Sequence, residues 1–294
     1  MTLSMQAVMI GELAKRALTE DTAGKVMGVT SKGMFLAAGE RILFVTEADY
    51  KSPFNIQVPG YSDMINRLSP GDAWRFESDG LILSDRSIRI DISSTEIWRP
   101  MPPAAVLCTQ QEQRVRLEDL LRRMAEVDPA KGWLYLAVPH AGEDFPAGSE
   151  ESRINQMTSD FLRCVREGDL EGACANARSI MGRGGGLTPS GDDWLSGFLL
   201  YHARSGKNDI FMQKLGQTLT AMAFERTTKI SANRIEAACQ GWSEQLFLEV
   251  IDTLFDPQRA FTDLQVKYLV GFGHSSGVDT CVGIWAAINN PGLK

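Results

Sequence analysis

The chain has little of what would tie it to a membrane, a secretory route or a nucleic acid. No apolar run approaches the length of a bilayer span. The N-terminal stretch MTLSMQAVMIGELAKRA lacks a basic start followed by an unbroken apolar region, so it does not read as a signal peptide. Basic residues are outnumbered, 30 Lys and Arg against 37 Asp and Glu, and the net charge of −7 gives no basic footprint for nucleic acid. Five cysteines (Cys108, Cys164, Cys174, Cys239 and Cys281) are scattered and form no C-x-x-C pair, which excludes a disulfide framework or a zinc site. They read as buried thiols in a reducing cytoplasm.

What remains is 294 residues, 44% hydrophobic, enough for one large or two ordinary domains with real cores. The expected class is α+β. From Gly24 to Trp98 the pattern is of short β-rich runs: KVMGVT, GMFLAA, RILFVT, AWRFE, LILS and IRIDI. SDG between Glu77 and Leu81 is a hairpin signal, and Ile88, Ile90 and Ile92 alternate with polar residues. Such spacing predicts a small antiparallel barrel or sandwich over residues 1–105. RPMPPAAV then interrupts the chain with three prolines. From residue 106 to 294 the period becomes helical, clearest in Leu246, Phe247, Val250, Ile251, Leu254 and Phe255. WLYLAV (Trp133 to Val138) is the one run in this half that reads as a buried strand.

Chemistry concentrates in two loops. GRGGGLTPSGDDWLSGF (Gly182 to Phe198) places four glycines in its first five residues. Near the C-terminus GFGHSSGVDTCVGIWAAI (Gly271 to Ile288) repeats its core: aligning Ser190 with Ser276 gives S-G-x-D-x-x-x-G twice. The pairs are Ser190/Ser276, Gly191/Gly277, Asp193/Asp279 and Gly197/Gly283, an internal pseudo-repeat or convergence on one device. A purely structural account is available for this core. Each serine with its acid three residues on approximates a capping box, the acid suits the helix dipole, and the last glycine admits a neighbouring helix. That account leaves Gly182, Gly184, Gly185, Gly186 and Gly273 unexplained. Bare backbone running into a helix start is what an anion requires, because free N–H groups converge and no side chain blocks approach.

The expected anion-binding set is therefore Gly184, Gly185, Gly186, Thr188, Ser190, Gly191, Asp192, Gly273, Ser275, Ser276 and Asp279. Arg183 is a further candidate partner for an anion. A third loop, RTTK (Arg226 to Lys229), adds Thr227 and Thr228 ahead of a helix for which Ser231 is the expected N-cap. Walker A is excluded because its lysine is missing. The dinucleotide fingerprint is excluded because the glycines follow a helical stretch and Leu187 replaces the third one. Asp193, the acid echoed by Asp279, and His274, set among glycines and serines, are the expected proton-handling residues. His140 and His202 carry weaker signals. Asp192 and Asp193 also admit a Mg²⁺ reading, although neighbours on a helix point about 100° apart and seldom serve one ion.

GRGGGLTPSGDDWLSGFL, ERTTKIS and GHSSGVDTCVG, in that order, together resemble the AllH-type subunit family of oxamate carbamoyltransferase, whose members carry G-x-G-x-G-L-T-P-[SA]-G-D-D, R-T-T-x-I-S and G-H-[ST]-S-G-x-D. Gly185 departs from that pattern as an extra glycine, while Gly182, Gly184 and Gly186 keep its spacing. The resemblance implies carbamoyl transfer between oxalurate plus phosphate and oxamate plus carbamoyl phosphate, in anaerobic allantoin (purine) catabolism. It further implies partner subunits of a hetero-oligomeric complex, a small anionic substrate, a cytoplasmic setting and no membrane or nucleic-acid partner. Two rivals stand beside it: a Mg²⁺-dependent kinase or phosphohydrolase using Asp192 and Asp193, and a non-catalytic anion-binding scaffold subunit.

Overall fold

The computed structural model describes residues 3–30, 32–62, 67–83, 87–138, 145–206 and 209–290. The chain divides into two compact units, Met1–Met101 and Pro102–Lys294. The first is β-rich and the second helical, so the α+β class is as expected.

The first unit is one curled ten-stranded sheet in the order β1-β9-β8-β7-β3-β4-β5-β6-β2-β10. Its strands are β1 (Leu3–Gln6), β2 (Met9–Gly11), β3 (Ala23–Thr30), β4 (Gly33–Ala38), β5 (Arg41–Thr46), β6 (Asn55–Gln57), β7 (Ala73–Glu77), β8 (Gly80–Leu83), β9 (Ile88–Asp91) and β10 (Glu96–Trp98), with helix α1 (Glu12–Ala17) after β2. The sheet is mixed: β1–β9, β2–β10 and β5–β6 pair in parallel, beside antiparallel neighbours. The SDG hairpin is present, with Glu77 opposite Gly80 and both loop residues, Ser78 and Asp79, at positive φ. That geometry is the primed turn that matches strand twist. Ile88, Ile90 and Ile92 all point into the core with Leu36, Leu43, Val45 and Leu81.

The second unit comprises α2 (Gln110–Val127), a 3₁₀ turn (Leu134–Leu136), α3 (Glu150–Glu167), α4 (Leu170–Ile180), α5 (Ser190–Arg204), α6 (Ile210–Arg226), α7 (Lys229–Cys239), α8 (Gln245–Phe255), α9 (Asp263–Val270) and α10 (Ser276–Asn289). WLYLAV is thus a 3₁₀ turn, not a strand. A short apolar run cannot distinguish the two, and here Gly132 at φ 53° turns the chain into i→i+3 bonds such as Ala137 N–H to Leu134 O at 3.0 Å. Helices α5 and α10 form the centre. Nearly every residue of both is buried, the polar Asp192, Asp193 and Arg204 of α5 and Asp279 of α10 included. Phe161, Trp194 and Phe198 pack edge-on and stacked around α5. The cysteines are unpaired thiols, with Cys108, Cys164 and Cys281 buried. No described helix is long and apolar enough to cross a membrane.

Candidate functional site

The two S-G-x-D-x-x-x-G segments are one structural device used twice. Helices α5 and α10 cross at their glycines. A Cβ on Gly197 would lie 2.0 Å from the Thr280 carbonyl oxygen, and one on Gly283 would lie 2.0 Å from that of Trp194. Trp194 and Thr280 are themselves equivalent positions of the repeat, so the contact is reciprocal about a local two-fold. Gly191 and Gly277 repeat the pattern six residues earlier. A Cβ there would strike the end of the preceding helix, at Ile180 O (2.1 Å) and Leu269 O (1.9 Å) respectively. All four glycines are therefore spent on packing, Gly197 and Gly283 as the structural account expects.

That account fails for the serines. The N-cap of α5 is Pro189 and that of α10 is Ser275, and neither makes a side-chain cap bond. The hydroxyls are used across the pair instead: Thr188 Oγ1 meets Ser276 Oγ at 2.8 Å, and Ser190 Oγ meets Ser275 Oγ at 3.4 Å. The N-terminal ends of α5 and α10 are thereby held side by side, and their positive dipole ends converge on one place.

The glycine loop approaches this junction at Gly184, where a Cβ would lie 2.7 Å from the Ser190 nitrogen. Gly182, Gly184 and Gly186 adopt left-handed φ values of 74°, 107° and 88°, whereas Gly185 does not. The run thus has a conformational reason at three of its four glycines. Among the described residues, no hydrogen bond engages the amides of Gly184, Gly185 and Gly186, or those of Ser190, Ser275 and Ser276. The three loop glycines are exposed. RTTK joins the same cluster: Thr228 Oγ1 donates to Leu187 O at 2.7 Å, and Thr227 Oγ1 donates to Asp192 Oδ2. Thr228, not Ser231, caps α7, accepting from the Ser231 amide at 3.1 Å. The turn places Ser231 three residues inside the helix.

Beneath the hydroxyls lie three buried carboxyl groups. Asp192 accepts from Gly182 N–H at 2.7 Å as well as from Thr227, which pins both loops to α5. Burial pushes its carboxyl above the ordinary value, against the pull of those donors. Asp193 pairs with Arg234 on α7, and Arg234 Nε lies 3.1 Å from Glu244. Burial, offset by Arg234 and reinforced by nearby Asp279, pushes Asp193 up to about 7. Asp279 takes the Trp133 amide at 2.6 Å and is likewise raised by burial. Ser276 and Thr188 favour the charged form of Asp193, as Ser275 and Ser190 do for Asp279, each acid reaching the other repeat's serine. Yet the Oδ2 atoms of both acids are buried with no properly formed hydrogen bond.

Asp192 and Asp193 therefore face different partners. Among the described residues, no group of three His, Cys, Asp or Glu side chains is placed to hold a metal ion. Arg183 pairs with Glu150 at 3.0 Å. His274 stands exposed at the loop mouth, close enough to Asp279 to favour its charge. His202 is buried on α5 against Phe198, and His140 lies outside the described residues.

Arg234, Glu244 and Trp133 escaped the sequence reading. Arg234 did leave a trace: it sits four residues after Ile230 and three before Ala237, on the buried stripe of α7. A charged residue on such a stripe needs a partner. Nothing local marks the amide of Trp133.

Residues 180–288 match the family model described as oxamate carbamoyltransferase subunit AllH. The matched segment contains all three loops, helices α5 and α7, and α10 except its last residue. No solved structure matches the chain.

Proposed function

We propose, from the family match over residues 180–288 and the convergence of its three loops, that this chain is a subunit of an oxamate carbamoyltransferase-like enzyme. The site at the paired starts of α5 and α10 binds a phosphate or carbamoyl phosphate together with a small carboxylate, oxamate or oxalurate. One observation carries the reading: the Thr188–Ser276 and Ser190–Ser275 contacts hold two helix N-termini together under exposed backbone with open amides.

In the direction that forms carbamoyl phosphate, a phosphate oxygen attacks the terminal ureido carbon of oxalurate, the C–N bond breaks, and oxamate leaves after its nitrogen gains a proton. The amides of Gly184, Gly185, Gly186 and Gly273 and the four hydroxyls would hold the phosphate and the oxyanion that develops. Positioning and charge stabilisation supply the rate enhancement, with no covalent nucleophile. His274 or Asp193 manages the proton. Gly191, Thr227 and Thr228 shape the loops, while Asp192 anchors them. The setting is the cytoplasm, and turnover needs partner subunits.

Thermal-shift titration of the isolated chain with phosphate, carbamoyl phosphate, oxamate and ATP, each with and without Mg²⁺, tests this. Stabilisation by the small anions without dependence on Mg²⁺ is expected. ATP binding that tightens with Mg²⁺, or no response to any anion, overturns it.

A further inference from the structure

The hydroxyl cluster has a proton problem that an anion would expose. A serine or threonine hydroxyl has one proton to donate. In each close pair, Thr188–Ser276 and Ser190–Ser275, one proton lies between the two oxygens, so each pair has a single proton left over. Two buried carboxyl oxygens, Asp193 Oδ2 and Asp279 Oδ2, compete for these protons from below, and neither has a formed hydrogen bond. While both are ionised, the leftover hydroxyl protons turn inward and the outer face presents lone pairs. An anion meets repulsion there.

Resting on the anion-site reading above, we infer that anion capture takes up protons: Asp193 and Asp279 become neutral O–H donors to the hydroxyl pairs, and the freed hydroxyl protons turn outward to the ligand. The two acids are positioning residues, since they act through the hydroxyls and not on the anion. The surrounding charges agree. Arg234 on α7 faces Asp193, and through it Glu244 ahead of α8. Asp192 lies on the same helix, and His274, Tyr135 and Cys281 face Asp279. Asp192, Asp193 and Glu244 thus share the Arg234 guanidinium in a dry setting, with Asp279 beside Asp193, and a bound anion adds more negative charge. Burial already favours neutral forms of both acids. Each hydroxyl pair has its own acid, Asp193 for Thr188–Ser276 and Asp279 for Ser190–Ser275. The two-fold relates Ser276 with Asp193 to Ser190 with Asp279, while Thr188 and Ser275 correspond to His274 and Pro189.

Isothermal titration of the full chain with sulfate, whose charge is fixed near neutrality, tests the inference in buffers of differing ionisation enthalpy. Expected is a buffer-dependent heat corresponding to net proton uptake, and a Kd that weakens up to about tenfold per pH unit per proton above about pH 7. Asp279→Asn keeps an oxygen for the Trp133 amide and offers a permanent donor toward Ser190 and Ser275. It should bind sulfate more tightly than wild type above about pH 8, with less proton uptake. A purely structural role would weaken binding at every pH. Sulfate binding with buffer-independent heat and a flat pH profile overturns the inference and leaves the anion site standing. No heat from sulfate, phosphate or oxamate even at about pH 6 overturns both.

Discussion

Gly197 and Gly283 stand at one crossing, each facing the backbone carbonyl that the other's helix presents, at the same 2.0 Å from where a Cβ would sit. This reciprocity turns a sequence echo into a spatial two-fold. The echo and the site have one cause: helices that cross this closely, start to start, bring their N-termini and preceding loops together.

Gly197→Ala and Gly283→Ala should each destabilise the chain by about 3 kcal/mol, the upper range for overpacking, because the obstacle is backbone and cannot rotate away. The double variant should cost less than the sum, since the first substitution already forces the helices apart. Urea denaturation of all four proteins measures both.

The glycine loop should discriminate its own members. Gly184→Ala forces an L-residue to φ 107° and puts Cβ 2.7 Å from the Ser190 amide nitrogen, while Gly185 has open space and no left-handed φ. Gly184→Ala should lower the melting temperature and abolish phosphate-induced stabilisation. Gly185→Ala should leave both nearly unchanged. Thermal shift with and without phosphate reads the contrast.

Stability should fall as pH rises through neutrality. Asp193 has a folded value near 7 against 3.8 when free, so between these the folded chain binds more protons than the unfolded one. Its contribution is complete below about pH 4 and is lost as pH rises through about 7, with a slope up to about 1.4 kcal/mol per pH unit. Asp193→Asn should flatten this part of the curve. Denaturant midpoints taken from about pH 5 to about pH 8 provide the check.

Arg234→Met should be strongly destabilising, by about 3–5 kcal/mol, because it leaves Asp193 and Glu244 buried without their cation. Adding Asp193→Asn should restore part of the loss. A double-mutant cycle by chemical denaturation measures that recovery, and an additive result would show that the pair is not coupled.

Much of the architecture was legible because its signals are local. Ser78-Asp79-Gly80 marks its own hairpin, Ile88, Ile90 and Ile92 alternate, and the helical stripes repeat at their own period. The cap role fails for three serines for the same reason. Ser190, Ser276 and Ser231 all stand where a cap would, and only the neighbouring helix or the preceding threonine decides otherwise. The WLYLAV run carried apolarity without a period, which leaves strand and turn equally compatible with the sequence.

Sequence by itself determined the periods, the turn chemistry and the recurrence of S-G-x-D-x-x-x-G, since these depend on residues within one or two turns of each other. Tertiary structure alone decided what the recurrence does. Asp193 finds Arg234 forty-one positions away, Asp279 finds the Trp133 amide across 146, and Thr188 finds Ser276 across 88. Pairings at such range are set by which buried faces must pack together, and no short stretch of sequence encodes them.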